Sequence, residues 1–277
     1  MSRARIDRHL RMTDVIAAAP RASHTRCRSR CSVDLQTGIV YGPAVTRRFG
    51  RALGVNLAPA ARKACNFACA YCSSEWSAPP ARGEWPTTEN VATAVEHALA
   101  NGAAIDTILV AGNGEPTLHP GFAPIAERLA QLKVRLAPAA ALTLLSNGST
   151  LNQLHVAYSL GHFDVRCIKL DAGDATTFRV MNGPAAAFGR ILSDLRRVAG
   201  LSLISTFVRG AGVDAGNTTP GALDAWLDAV HRVRPQMVDL CTPDRSLRAP
   251  FARVPAAVLE ELANRVRGLG IQARVFA

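Results

Sequence analysis

The chain has 277 residues, 48% of them apolar, and a formal net charge of +11. That length suits one α/β domain of barrel size or two small domains, and no apolar run approaches the roughly 20 residues needed to span a bilayer. The charge does not argue for a nucleic-acid face: residues 1–51 carry +8 and the other 226 only +3, whereas a phosphate-tracking surface is continuous and basic.

Residues 1–38 read as a basic, disordered tail without helical or alternating period, with Cys27 and Cys31 inside it. It lacks the apolar stretch of a secretory signal, and Met12 offers an alternative start. A core over residues 39–277, working in the cytoplasm, is expected to follow. Val55–Leu57 is a short strand leading into a cysteine loop. Thr87–Leu99 reads as a helix with Val91, Val95 and Leu99 on one stripe and Thr87 or Thr88 as N-cap. Thr107–Ala111 is a buried strand, Pro124–Leu132 a helix and Leu142–Leu145 the next strand. A short helix over Leu151–Leu160, strand Val165–Leu170, helix Phe188–Val198 and strand Leu201–Val208 continue the alternation. Thr219 caps a helix that has Pro220 at its first position. Strand Met237–Cys241, helix Pro255–Arg267 and strand Ile271–Phe276 close the chain.

This alternation predicts a parallel sheet with helices outside it. About six βα units precede the last strand, short of the eight that close a barrel. An open-sided (β/α)6 partial barrel of the TIM type is therefore favoured, with a doubly wound open sheet as the alternative. In either architecture functional groups gather at the C-terminal strand ends. The loops at those ends are Cys65–Cys72, Gly112–Glu115, Ser146–Gly148, Lys169 with Asp171, Arg209-Gly210, and Thr242-Pro243-Asp244-Arg245.

Seven cysteines, an odd number clustered at short spacing, suit metal binding in a reducing compartment better than disulfides. Cys65, Cys69 and Cys72 form a C-x3-C-x2-C run, one thiolate short of a closed all-cysteine iron–sulfur or zinc site. A cubane cluster held by three cysteines keeps one iron open for a substrate or cofactor. A structural zinc site would need a fourth ligand and usually paired C-x2-C units, of which only Cys69–Cys72 exists. Gly112-Asn113-Gly114-Glu115 is not a dinucleotide fingerprint, because Thr117 stands where its third glycine would fall. Cys167 and Cys241 lie in apolar strands and read as small buried hydrophobes. His119, before Pro120, reads as a loop-orienting residue rather than an acid or base. Lys169 reads equally as an ion-pair partner of Asp171 or as a cofactor ligand. Trp76 and Trp85 flank the cysteine loop and read as packing.

The segment Arg62–Cys72 resembles the signature of the radical S-adenosylmethionine (SAM) enzymes. Gly112-Asn113-Gly114-Glu115-Pro116 resembles that family's Gly-Gly-Glu motif. Leu145–Gly148 and Ile168–Ala172 resemble its ribose-side strand ends. Tyr41–Pro43 and Arg47–Arg51 look like a branch that includes relatives of the wyosine base synthases of tRNA. The resemblance implies a [4Fe–4S] cluster on Cys65, Cys69 and Cys72. It also implies S-adenosylmethionine contacts from Tyr71, Asn113, Gly114, Glu115, Ser146, Asn147, Lys169 and Asp171. The implied activity is reductive cleavage of that cofactor to a 5′-deoxyadenosyl radical that abstracts hydrogen from a substrate. An electron donor such as flavodoxin or ferredoxin is implied as partner. The substrate is open: a small molecule, a peptide or tRNA. A wyosine-type synthase and a non-catalytic iron–sulfur redox sensor are the alternatives. The wyosine enzymes carry a second cysteine trio and an imine-forming lysine; Cys27 and Cys31 are one cysteine short, and Lys63 and Lys169 are not obvious matches.

Overall fold

A computed structural model describes residues 35–72, 84–102, 104–183, 188–210, 216–243 and 251–277. All of them belong to one unit, Cys31–Ala277, distinct from Met1–Arg30. Cys27, Cys31, Trp76, Asp244 and Arg245 lie outside the described residues.

The strands are β1 (Val40–Thr46), β2 (Gly50–Val55), β3 (Thr107–Val110), β4 (Ala141–Ser146), β5 (Val165–Lys169), β6 (Ser202–Thr206), β7 (Val208–Arg209), β8 (Met237–Cys241), β9 (Ala252–Arg253) and β10 (Gln272–Phe276). The helices are α1 (Thr88–Ala100), α2 (Phe122–Leu136), α3 (Leu154–Ser159), α4 (Ala175–Asn182), α5 (Phe188–Leu195), α6 (Pro220–Val233) and α7 (Ala256–Gly268). Eight strands form one sheet in the order β1-β2-β3-β4-β5-β6-β8-β10. Only β1 runs antiparallel; every other neighbouring pair is parallel.

That order decides between the two expected architectures. It never reverses, so there is no switch point of the doubly wound kind. Right-handed crossovers then put successive helices on one face of the sheet. The sheet curls into a half-barrel, α/β and open between β1 and β10, as expected for a (β/α)6 partial TIM barrel. From β2 to β8 six strands are each followed by helix before the final β10.

The alternation within strands explains the layering. Ile108, Val110, Leu142, Leu144, Ile168, Leu203, Val238 and Leu240 are fully buried in the main core with the helices. Ala52, Leu109 and Ala111 face the other way, where Phe49 and Leu145 pack on them. Thr107 and Thr143 pair their hydroxyls at 2.8 Å in the sheet, and Arg274 grips Asp239 with two hydrogen bonds of 2.8 and 2.9 Å.

Three features differ from expectation. The first parallel strand ends at Val55 instead of beginning there, and it is the second arm of a β1–β2 hairpin. Glycines and arginines hide the hairpin's period: Gly54 is needed because a Cβ there would lie 2.1 Å from the Tyr41 ring. Helix α4 is not among the expected elements. It is short, but Asp174 caps it by accepting from the Thr176 and Thr177 amides at 2.9 Å each. The expected strand Leu201–Val208 divides at Phe207 into β6 and β7, and β7 pairs with β9 apart from the main sheet. The Gln36 backbone exchanges two hydrogen bonds with the Asn113 side chain.

Candidate functional site

The cysteine loop docks on the end of β3. Ala64 and Gly114 form a parallel bridge, with the Ala64 amide donating to Asn113 O at 2.7 Å and the Glu115 amide to Ala64 O at 2.8 Å. From the other side α4 ends against the same loop. Its last carbonyls, Met181 and Asn182, accept from the Ala70 and Ala68 amides at 2.8 and 3.0 Å. Phe67, between the first two cysteines, packs edge-on to Phe178 of α4. A loop clamped at both flanks presents its cysteines without needing regular structure of its own.

Gly114 makes the first clamp. Its φ is +141°, and an added Cβ would sit 2.0 Å from Ala64 O, a backbone atom that cannot step aside. Gly114→Ala is expected to cost about 1–3 kcal/mol through overpacking, with the backbone strain adding to it. Thermal unfolding checks this, with Gly189→Ala as control, because a Cβ at Gly189 meets nothing within 4 Å. A Gly114→Ala chain as stable as the control would show that the Ala64–Gly114 approach does not hold the loop.

The three cysteines are free thiols, each partly buried. Burial pushes the Cys65 thiol up to about 12, and burial likewise raises Cys69. Buried thiols ionise when a cation replaces their protons, which is what metal ligation does. Among the described residues no three His, Cys, Asp or Glu side chains are grouped to hold a single metal ion. A cluster spreads its ligands over several irons, so its cysteines need not meet at a point. Three thiols on one loop are one short of the four ligands of a closed zinc site.

Glu115 is the hub between β3 and β4. Its Oε1 accepts from the Thr117 amide at 3.1 Å, the Thr117 hydroxyl at 2.6 Å and the Ser146 hydroxyl at 2.7 Å. Its Oε2 accepts from the Asn147 amide at 2.6 Å. Burial pushes this carboxyl up while the four donors pull it down, and burial prevails. The Asn147 side chain donates onward to Asn66 Oδ1 at 2.9 Å and approaches Cys65 Sγ at 3.9 Å. Asn113 differs from its neighbours: its amide is spent on backbone, donating to Gln36 O and Pro59 O and accepting from the Gln36 amide. Its side chain is tied to Gln36 and Pro59, apart from the Glu115 and Asp171 hubs.

Asp171 is the hub between β5 and β6. Its Oδ1 accepts from the Thr206 amide at 2.8 Å, and its Oδ2 from the Tyr71 hydroxyl and from Asn182 Nδ2 at 2.9 Å. Lys169 Nζ stands 3.5 Å from the same oxygen, 3.4 Å from the Thr206 hydroxyl, and 4.9 Å from the centre of the Tyr71 ring. Burial draws the Lys169 ammonium down, but Asp171 together with the Cys69 and Cys241 sulfurs outweighs it and holds it up. Burial, with Asp171 adding to it, raises the Tyr71 phenol well above its usual value.

His119 orients a loop, as expected. Its Nε2 meets Pro86 O at 2.8 Å and its Nδ1 accepts from the Gly121 amide at 2.9 Å, with Trp85 edge-on to the ring. Cys167 and Cys241 are buried in strands, and Cys241 Sγ donates to Ser205 O at 3.3 Å.

The family model described as the radical SAM superfamily matches residues 63–208, which is more than half of the chain. The chain belongs to the radical SAM superfamily. A relative is the protein designated UPF0026 in Helicobacter pylori, 33% identical over 220 residues that make up 76% of this chain and 69% of that one. Among solved structures, a radical SAM methyltransferase from Sphaerobacter thermophilus is 16% identical, covers 81% of this chain and 66% of that one, and has a TM-score of 0.55. Archaeal TYW1 is 14% identical, covers 79% and 72%, and has a TM-score of 0.50. At such identities the structural likeness carries the fold, a radical SAM half-barrel.

Sequence reasoning missed three contributors to the site of this radical SAM chain. Asn66 donates to Ser149 Oγ at 2.8 Å, Asn217 to Asp171 O at 2.7 Å, and Asn182 to Asp171. Only Asn182 left a readable signal: Asn182-Gly183-Pro184 is a helix stop, and Gly183 follows the helix at φ +85°.

Proposed function

We propose that this radical SAM chain is an enzyme that holds a [4Fe–4S] cluster through Cys65, Cys69 and Cys72 and binds S-adenosylmethionine beside it. One observation carries the reading: the Glu115 and Asp171 hubs, at the ends of β3 and β5 with β4 between them, both reach toward the cysteine loop, through Asn147 to Cys65 and through Asn182 to Cys69. When bound, the pair supplies a low-potential electron that breaks the sulfonium C–S bond and leaves a 5′-deoxyadenosyl radical for hydrogen abstraction.

The residues divide the binding work. Gly114 lets backbone approach closely, and Glu115 offers a buried carboxylate to the cofactor's amino group. Ser146 and Asn147 hold that carboxylate in place. Lys169 offers its ammonium to the cofactor carboxylate and Asp171 accepts from ribose, while Tyr71 covers the adenine and excludes water. The core of the enzyme is residues 39–277 with Gln36 tied to it. A flavodoxin or ferredoxin supplies the electron. No helix among the described residues is long and apolar enough to cross a membrane, and a reducing cytoplasm suits the thiols. The substrate is a small molecule, a peptide or tRNA.

Anaerobic reconstitution tests the proposal. The chain should take up about four irons and release 5′-deoxyadenosine when S-adenosylmethionine and a strong reductant are added. A chain that takes up iron but yields no 5′-deoxyadenosine, with a metabolite extract supplied as a source of substrate, would favour the sensor.

A further inference from the structure

The Asn182 amide nitrogen joins a cysteine sulfur to the Asp171 carboxylate, beside the Tyr71 hydroxyl, which also meets Asp171 and Cys69. Asn182 Nδ2 donates to Cys69 Sγ at 3.3 Å and to Asp171 Oδ2 at 2.9 Å. The orientation of the amide is fixed by chemistry: turned over, its carbonyl would face a sulfur and a carboxylate, acceptor against acceptors. The same residue fixes the loop backbone, since its own carbonyl accepts from the Ala68 amide. It is 2% exposed, so no water competes for the N–H.

We propose that Asn182 is a positioning residue that sets the reduction potential of the cluster through its hydrogen bond to Cys69, an inference that rests on the cysteines holding that cluster. Adding an electron raises the negative charge on the thiolate sulfurs. An N–H donor aimed at one of them therefore stabilises the reduced state more than the oxidised one and moves the potential upward. Asp171 holds the amide in that pose by taking its second hydrogen. The other N–H groups near the cysteines do not match it: the Phe67 amide meets Cys65 at 3.4 Å within the loop itself, and Asn147 Nδ2 stands off at 3.9 Å.

A second feature marks Asn182 as more than a strut. Among the described residues its buried Oδ1 has no partner, and an orphaned buried acceptor is costly and rare in a finished site. The atom lies on the residue that links the cluster side to the Asp171 side.

The test is a redox titration of the reconstituted chain followed by electron paramagnetic resonance, in wild type, Asn182→Leu and Asn182→Ala. Both variants remove the donor, the first with little change in volume. The expected result is full iron content, an unchanged circular dichroism spectrum, and a midpoint moved to lower potential by a tenfold change in the oxidised-to-reduced ratio, about 59 mV for one electron. Full iron with an unmoved midpoint in either folded variant overturns the inference and leaves the cofactor reading standing. Loss of fold in both variants would also overturn it, because Asn182 would then act on stability. A wild-type chain that takes up no cluster would instead bring down the cofactor reading, and this inference with it.

Discussion

Cys69→Ala is expected to lower the iron bound after anaerobic reconstitution from about four per chain to less than about one, and to abolish release of 5′-deoxyadenosine. Cys65→Ala and Cys72→Ala should do the same. The expectation rests on count and placement. Three thiols sit on one loop clamped by Gly114 on one flank and by the end of α4 on the other. Removing one leaves two, too few to retain a cubane against chelation. The folded chain should survive: a partly buried Cys→Ala change removes one sulfur, and Asn182 keeps its bond to Asp171. Cys167→Ala supplies the contrast. That thiol is buried in β5 and raised to about 12, chiefly by burial, so its loss should leave both iron and 5′-deoxyadenosine intact. Full iron in any of the three loop variants would remove that cysteine from the ligand set.

What sequence could and could not disclose follows from the range of the interactions. The βα units were legible because their signal is local: Val91, Val95 and Leu99 recur at helical spacing, and Thr219-Pro220 announces the start of α6. The cysteine loop was legible as a candidate ligand set because three cysteines at that spacing have few other uses, whereas the Gly-Asn-Gly-Glu turn was legible only through its resemblance to the radical SAM family. The β1–β2 hairpin was not legible. Its core contact is Tyr41 lying over Gly54, a pairing that exists only once the strands are side by side. The part played by Asn113 was hidden for the same reason, since Gln36 is 77 residues away from it. Asn182 was the most consequential omission. An Asn at the end of a short helix signals a stop, and nothing local says that its side chain reaches a cysteine 113 residues earlier.

Both hubs use the same construction. A carboxylate at the end of one strand accepts a backbone amide from the next, Glu115 from Asn147 and Asp171 from Thr206. Each hub therefore fixes the spacing of adjacent strand ends while keeping a buried carboxyl group at the mouth of the half-barrel. Under the proposed function, stability and binding load on the same two side chains, and a variant must be read on both.

Glu115→Gln separates these roles. The Gln oxygen can take the Oε1 position, where three donors converge, but its NH2 group then faces the Asn147 amide across the 2.6 Å contact. Donor against donor in a buried site should cost about 1–3 kcal/mol, and a chain of this size loses roughly 2–4 °C in Tm per kcal/mol. That drop measures the architectural role. The binding role appears in the shift that S-adenosylmethionine produces. For a ligand at a hundredfold excess over its Kd the reconstituted wild type should gain about 2.7 kcal/mol, since a cationic amino group meets a carboxylate that burial has left short of charge compensation. Reconstituted Glu115→Gln should lose most of that gain even at temperatures where it is fully folded, because an amide offers the ammonium no charge. If the cofactor raises the Tm of both proteins equally, Glu115 is a strut for β3 and β4 and the amino group binds elsewhere.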